Sequence, residues 1–440
     1  MKYSVAAATI GCKVNQYDTT AILQDFSKLG FDVLNLDNLY KDEIFEVEDV
    51  KKTADIFIVN TCTVTNISNK KSRQLINKIH KKYPKAIIIA YGCYAQVQPQ
   101  ELASILGVSL VIGTQDKHNV AQITADFMGI KLPTKTEPTK KPSQISNRTR
   151  TYLKVQDGCD NYCSYCIVPY ARGKSTSVPI AAAITEAENL VESGYKEIVL
   201  TGVQLSSYGK DFESENLLNL ITRLHNIPKL ERLRLSSLEP TTITTEFLQE
   251  ISKLPKFCQH FHLSLQSGSN RILKQMNRHY TTENFAEIVA NIRRYFPKVA
   301  ITTDIIVGFP GETDLDFNET FTFVENIQFF DVHVFAYSPK SGTAAANFAE
   351  QIPTKIKQQR SKTLHNLAAK LNENFYQNYI GETLLVLFES HQGNTWKGYT
   401  SQYLTVSAES QTNLNNQIVP VKVTKYSNNT LFGNIMEDLP

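Results

Sequence analysis

The chain has 440 residues, room for about three domains of ordinary size. Its 42% hydrophobic and 20% charged residues, with Gly 19 and Pro 16, exclude a disordered, collagen-like or low-complexity protein. Lys and Arg number 46 against 43 Asp and Glu, a formal charge of +3, so any surface suited to an anionic partner has to be local.

No stretch approaches the ~18 consecutive apolar residues of a membrane span, so no membrane association is expected. The run from Tyr3 to Ile10 before Cys12 is too brief for a signal segment and reads as a buried first strand, which points to the cytoplasm. From Met1 to about Ile130, β-type runs at Tyr3 to Ile10, Asp55 to Val59, Ala86 to Tyr91 and Ser109 to Ile112 alternate with helical stretches. That alternation predicts an α/β, doubly wound parallel sheet over residues 1–130. Residues 131–150 carry Pro133, Pro138 and Pro142 among Thr, Lys and Ser, and read as an exposed linker.

A second strand and helix series follows over residues 151–379. Its β-type runs lie at Tyr152 to Val155, Glu197 to Leu200, Arg232 to Leu235, His260 to Leu265, Ala300 to Val307 and Val332 to Tyr337. Six such units predict a barrel or partial (β/α)6 barrel. Residues 380–440 differ again: β-rich pieces at Thr383 to Phe388, Tyr403 to Val406 and Val419 to Val423 predict a small antiparallel β-barrel. The chain shows no fixed-period repeat.

Seven cysteines spread over 440 residues do not make a disulfide framework, and their placement points to metal. Cys159, Cys163 and Cys166 fall directly after the strand Tyr152 to Val155, in a C-x3-C-x2-C loop with Tyr165 before the last thiol. A tetrahedral zinc site needs a fourth ligand, and His118 and His225 are distant in sequence. A four-iron cluster on three thiolates leaves one iron open for a substrate. Cys12, Cys62 and Cys93 each stand just after a β-type run of the first domain, so a parallel sheet would gather them at its carboxyl edge. Cys258, beside Phe257, belongs to neither set and is expected in the core.

At Cys159, Cys163 and Cys166 the sequence resembles the radical S-adenosylmethionine (SAM) superfamily. That resemblance implies a [4Fe-4S] cluster whose open iron chelates SAM, and cleavage of SAM to methionine and a 5′-deoxyadenosyl radical that abstracts hydrogen. Loops after later strands, carrying Gly202, Glu239, Gln266 and Gly308, together with Tyr165, are candidates for SAM contacts. The superfamily's usual Gly-Gly-Glu after the second strand is absent here.

With two three-cysteine sets and a terminal β-barrel, nearly the whole chain resembles the methylthiotransferase family. The family implies an auxiliary [4Fe-4S] cluster at Cys12, Cys62 and Cys93, a second at the SAM loop, and a C-terminal TRAM module associated with RNA. The segment Gly11-Cys12-Lys13-Val14-Asn15-Gln16 is similar to the branch acting on N6-threonylcarbamoyladenosine at position 37 of tRNA; the branch preferring isopentenyladenosine has Gln-Met at Lys13-Val14. The resemblance also implies an electron donor protein as partner. The same chemistry on isopentenyladenosine or on a ribosomal protein aspartate, and a non-catalytic zinc-containing RNA-binding protein, are the alternatives.

For the tRNA partner, Lys70, Lys71, Arg73, Lys78, Lys81, Lys82 and Lys85 lie in sixteen residues without an acid. Lys78, Lys81 and Lys82 are the expected RNA contacts on that helix. Seven basic residues between Lys131 and Lys154 face only Glu137. The segment from Ile380 carries three Lys against five acids, so its barrel lacks a basic surface; Trp396, Tyr399 and Tyr403 could stack on bases.

Overall fold

A computed structural model describes residues 3–34, 54–130 and 149–436. The N-terminal elements are β1 (Ser4–Thr9), α1 (Lys13–Lys28), β2 (Asp32–Val33), β3 (Ile56–Thr61), α2 (Asn66–Lys82), β4 (Ile87–Gly92), α3 (Cys93–Val97), α4 (Pro99–Ala103), β5 (Val108–Ile112) and α5 (Val120–Phe127). The five strands pair in parallel in the order β2-β1-β3-β4-β5, a doubly wound sheet. Strand alternation builds a core on each face. Val5, Ala7, Ile56, Ile58 and Ile89 meet Ile22 and Phe26 of α1 and Val120 of α5, while Ala6, Phe57, Val59 and Ile88 meet Leu75, Ile76 and Ile79 of α2. Strands β1, β3 and β4 are buried on both sides, which is why they read as continuous apolar runs.

The sequence's exposed linker falls largely on residues 131–148, outside the described residues. The chain re-enters at β6 (Arg150–Asp157), followed by α6 (Val168–Arg172), β7 (Thr176–Ser177), α7 (Ile180–Glu192), β8 (Glu197–Gly202), α8 (Leu217–His225), β9 (Arg232–Leu235), α9 (Thr245–Ile251), β10 (His260–Gln266), α10 (Asn270–Gln275), α11 (Thr282–Tyr295), β11 (Ala300–Val307), α12 (Asp314–Ile327) and β12 (Asp331–Ala336). Strands β6, β8 and β9 pair in parallel, as do β10, β11 and β12, and parallel bridges at Leu233 to Phe257 and Leu238 to Leu263 join the halves. Among the described residues no pairing connects β12 back to β6, so the six-strand barrel is open on one side.

Outward-facing Leu153, Ile198, Leu200, Leu233, Phe261 and Ile301 pack under the helices in the largest core of the protein. The residues between them face the lumen and are polar: Lys154, Gln156, Glu197, Arg232, Arg234, His260, His262 and Asp304.

Helix α13 (Thr354–Gln377) leads to β13 (Thr383–Gln392), β14 (Thr395–Tyr399), β15 (Thr405–Glu409), β16 (Ile418–Ser427) and β17 (Thr430–Ile435), a closed barrel in the order β13-β14-β15-β17-β16, antiparallel as expected except that β15 and β17 pair in parallel. It caps the start of the larger barrel's strands. Arg232 donates to the carbonyl oxygens of Tyr399 and Leu385, both at 2.8 Å, and Arg234 to those of Ser401 and Thr400 at 2.8 and 3.1 Å. Tyr399 and Tyr403, considered for base stacking, instead cover the Arg150 guanidinium, with ring centroids 4.4 and 4.9 Å away, and Trp396 is buried in the small barrel's core.

Candidate functional site: two cysteine triads joined across a domain boundary

Cys12 precedes the first residue of α1, Cys62 follows β3 and Cys93 opens α3, so all three sit where their strands end. Two glycines make this approach possible. Gly11 (φ +124°) has no room for a Cβ, which would stand 2.8 Å from Asn15 Nδ2 and 2.9 Å from Cys62 Cβ; Gly92 (φ +105°) is pressed against Asn60 and the backbone of Thr61. Asn15, buried in the first turn of α1, then ties the loops together. Its amide donates to the carbonyl oxygens of Ile10 at 3.0 Å and Thr61 at 3.2 Å, and its oxygen lies 3.8 Å from Cys12 Sγ and 4.0 Å from Cys93 Sγ.

The second triad occupies the loop between β6 and α6. Arg278 donates to Cys163 Sγ at 3.3 Å and to Glu239 at 2.6 Å. Glu239 also accepts from Gln204 at 2.8 Å and Asn161 at 3.3 Å, and these four side chains line a polar cavity of about 130 Å³ beside the cysteine loop. Tyr165 packs on the small cluster formed by Met276, Phe309 and Tyr337. Gly202 makes room for the side chain of Gln156, whose oxygen would meet a Cβ at 2.8 Å; Gly308 similarly makes room for Lys357. Gln266 ends β10 in the left-handed region, φ 73°. Glu239 thus belongs to a polar cluster touching the triad, and at Gly202 and Gly308 the space a Cβ would take is filled by protein.

Asn15 lies within the segment already singled out around Cys12, whereas Arg278 carried no sequence signal as a neighbour of cysteine. A third such residue, Arg172, links the triads. It closes α6, six residues after Cys166, and its Nε donates to Cys93 Sγ at 3.2 Å. Its other nitrogens reach Asp18 at 2.6 Å and Asn15 Oδ1 at 2.6 Å. Lys154 bridges Asp18 and Asp157, and Lys117 also pairs with Asp157. Lys154 and Arg150, counted in the basic run from Lys131, are thus committed to internal ion pairs, Arg150 with Glu389. They are not phosphate contacts.

The donor sets suit iron–sulfur clusters. Burial pushes the Cys62 and Cys166 thiols up to about 12 and raises Cys93 and Cys159. Such thiols become thiolates only against a strong local cation, which an iron core supplies. Among the described residues no group of three His, Cys, Asp or Glu is arranged to hold a single metal ion.

On α2, Lys78, Lys81 and Lys82 are exposed and lie in the last turns; Lys78 is about 18 Å along the axis from the helix start that follows Cys62. Lys70 and Lys71, also exposed, are nearer the cysteines, and Arg73 is held by Tyr94 and Glu101. A larger cleft of about 820 Å³ lies between the small barrel and the end of α7, lined by Asn394, Gln411, Asn413 and Asn416 and by no cysteine of either triad. No described helix is long and apolar enough to cross a membrane.

Residues 153–324 match the family model of the radical SAM superfamily, and residues 4–113 match one described as "Uncharacterized protein family UPF0004". The chain is 36% identical to the threonylcarbamoyladenosine tRNA methylthiotransferase MtaB of Bacillus subtilis, over 99% of this chain and 97% of that protein. It is 37% identical to MtaB of Thermotoga maritima, over 91% and 89% of the two chains. A tRNA-2-methylthio-N(6)-dimethylallyladenosine synthase of Syntrophomonas wolfei is 33% identical, over 100% and 98%. In fold, the radical S-adenosylmethionine methyltransferase TsrM of Kitasatospora setae, whose structure holds cobalamin and a [4Fe-4S] cluster, is similar with a TM-score of 0.57 at 18% identity, covering 79% of this chain and 77% of that one. The α/β architecture, the cysteine geometry and the full-length likeness agree: the chain belongs to the radical SAM tRNA methylthiotransferase family, enzymes that work with SAM and [4Fe-4S] clusters.

Proposed function

We propose that the chain transfers a methylthio group to C2 of N6-threonylcarbamoyladenosine at position 37 of tRNA. In this reading Cys12, Cys62 and Cys93 hold an auxiliary [4Fe-4S] cluster, and Cys159, Cys163 and Cys166 hold the cluster that binds SAM. Bound there, these groups supply one-electron activation of a C–H bond on one side and a sulfur carrier on the other. The chain's residues exclude water, orient the base and fix both groups. An electron donor protein reduces the SAM-binding cluster, and the enzyme works in the cytoplasm.

The observation that carries the substrate assignment is the position of Lys13. It follows Cys12, is half-buried, and lies among Tyr403, Arg234, Arg150 and Glu197 near the barrel lumen; burial lowers its pKa, and a bound carboxylate would favour its charged form. Nearby, His262 is paired with Asp304 at 3.2 Å and with Thr302 at 2.8 Å. A threonylcarbamoyl group ends in a carboxylate and needs a cation and several donors, whereas an isopentenyl group needs neither. Two of the relatives above carry the threonylcarbamoyl substrate in their names. The test is turnover by purified, reconstituted enzyme on tRNA carrying threonylcarbamoyladenosine, isopentenyladenosine or unmodified adenosine. The first is thiolated and the others rejected; equal thiolation of the isopentenyl tRNA contradicts the assignment.

A further inference from the structure

We propose that Arg172, a residue of the SAM-binding barrel, is a positioning residue for the auxiliary cluster, setting that cluster's reduction potential through its hydrogen bond to Cys93. The inference rests on the reading that Cys12, Cys62 and Cys93 hold a [4Fe-4S] cluster.

Arg172 is almost fully buried, with its side chain 2% exposed, and every face of the guanidinium is occupied: Cys93 Sγ at 3.2 Å, Asp18 at 2.6 Å and Asn15 at 2.6 Å. Asp18 and Asn15 fix its orientation from α1, and the contact is made across the boundary between the doubly wound domain and the barrel. Ion pairs link Lys117, Lys154 and Arg172 to Asp18 and Asp157, and Glu186 interacts with Lys154, so the cation that acts on Cys93 is the guanidinium touching its sulfur.

A four-iron core of charge 2+ on three thiolates is a monoanion, and one-electron reduction makes it a dianion. A fixed cation with a donor on one thiolate sulfur stabilises the dianion more, and buried charge is weakly screened. Removing it makes reduction harder. The same side chain leaves α6 six residues after Cys166, so the loop that binds SAM is mechanically tied to a ligand of the other cluster.

The test uses full-length protein with Cys159, Cys163 and Cys166 replaced by Ala, so that only the auxiliary cluster is observed, and compares it with the same protein bearing R172Q or R172K. Iron is counted, and the midpoint is read by potentiometric titration of the reduced cluster's paramagnetic signal. The expected result is about four irons throughout, a midpoint shifted to more negative potential in R172Q, and a smaller shift in R172K. Loss of iron from R172Q with retention in R172K also supports the proposal, because it shows that the charge is needed. Equal midpoints in all three proteins, or loss of iron from both variants, overturn it. Absence of a cluster while Arg172 is intact overturns the assignment of the triad itself, a distinct failure.

Discussion

The Nη2 of Arg172 lies 2.6 Å from Oδ1 of Asn15, so one hydrogen bond joins the helix after the Cys159–Cys166 loop to the helix that follows Cys12. The Asn15 side chain is fully committed at this junction, since its amide also holds the carbonyl oxygens of Ile10 and Thr61. N15A leaves three polar partners without it, of which the Thr61 contact is buried; a buried group left unsatisfied costs about 1–3 kcal/mol. The expected outcome is a lower melting temperature and loss of iron from the Cys12, Cys62 and Cys93 site, measured as iron per chain, with the other site retained.

The two triads should separate cleanly. Wild-type protein reconstituted without oxygen is expected to bind about eight irons. Replacing Cys159, Cys163 and Cys166 by Ala halves the iron and abolishes SAM cleavage, while replacing Cys12, Cys62 and Cys93 halves it, leaves SAM cleavage measurable and stops thiolation. Stoichiometric zinc without iron would contradict the assignment.

Glu197 anchors the capped end of the barrel. It is fully buried, pairs with Arg234 at 2.7 Å and approaches Arg232 at 3.6 Å. Burial alone would raise its pKa, but Arg234, with Arg150 and Arg232, brings it below the usual carboxylate range. A folded pKa below the unfolded value of about 4.3 gives stability that is fully present above that pH and lost as pH falls through the folded value. E197Q leaves the arginines unpaired and is expected to cost about 3–5 kcal/mol at pH 7. In denaturant unfolding, the gap between wild type and E197Q narrows as pH drops below about 4.3; a constant gap would show that the ion pair is not its source.

Helix α2 is the surface expected to meet the tRNA backbone. Reversing the charges of Lys78, Lys81 and Lys82 is expected to weaken tRNA binding and reduce the log–log salt slope by about one unit per lost phosphate contact. SAM cleavage without RNA is unaffected. Unchanged slope here with a reduced slope on reversing Lys70 and Lys71 would place the contact in the first half of the helix.

Much of the fold was legible in the sequence because the signals are local. The six barrel strands and four of the first-domain strands announce themselves as apolar or alternating runs, and each candidate ligand cysteine of the first domain stands within three residues of a strand's end. The small barrel was less clear: β14 and β17 escaped because Gly398 and Gly433, packed against neighbouring backbone, break the β pattern. The partners of the cysteines were invisible for another reason. Arg172 is 79 residues from Cys93, and Arg278 is 115 from Cys163, so only the docking of domains and the closing of the barrel bring them together. At Gly202 and Gly308 the space a Cβ would take is filled by Gln156 and Lys357, an approach that a glycine after a strand signals without naming the neighbour.

The identity of the modified nucleoside is tested most directly by nucleoside analysis of total tRNA from cells that lack any other methylthiotransferase and express this chain. The expected result is that 2-methylthio-N6-threonylcarbamoyladenosine appears, that the isopentenyl nucleoside stays unthiolated, and that the new nucleoside is absent when Cys12 or Cys159 is replaced by Ala. Methylthiolation of isopentenyladenosine in place of the threonylcarbamoyl nucleoside would contradict the assignment.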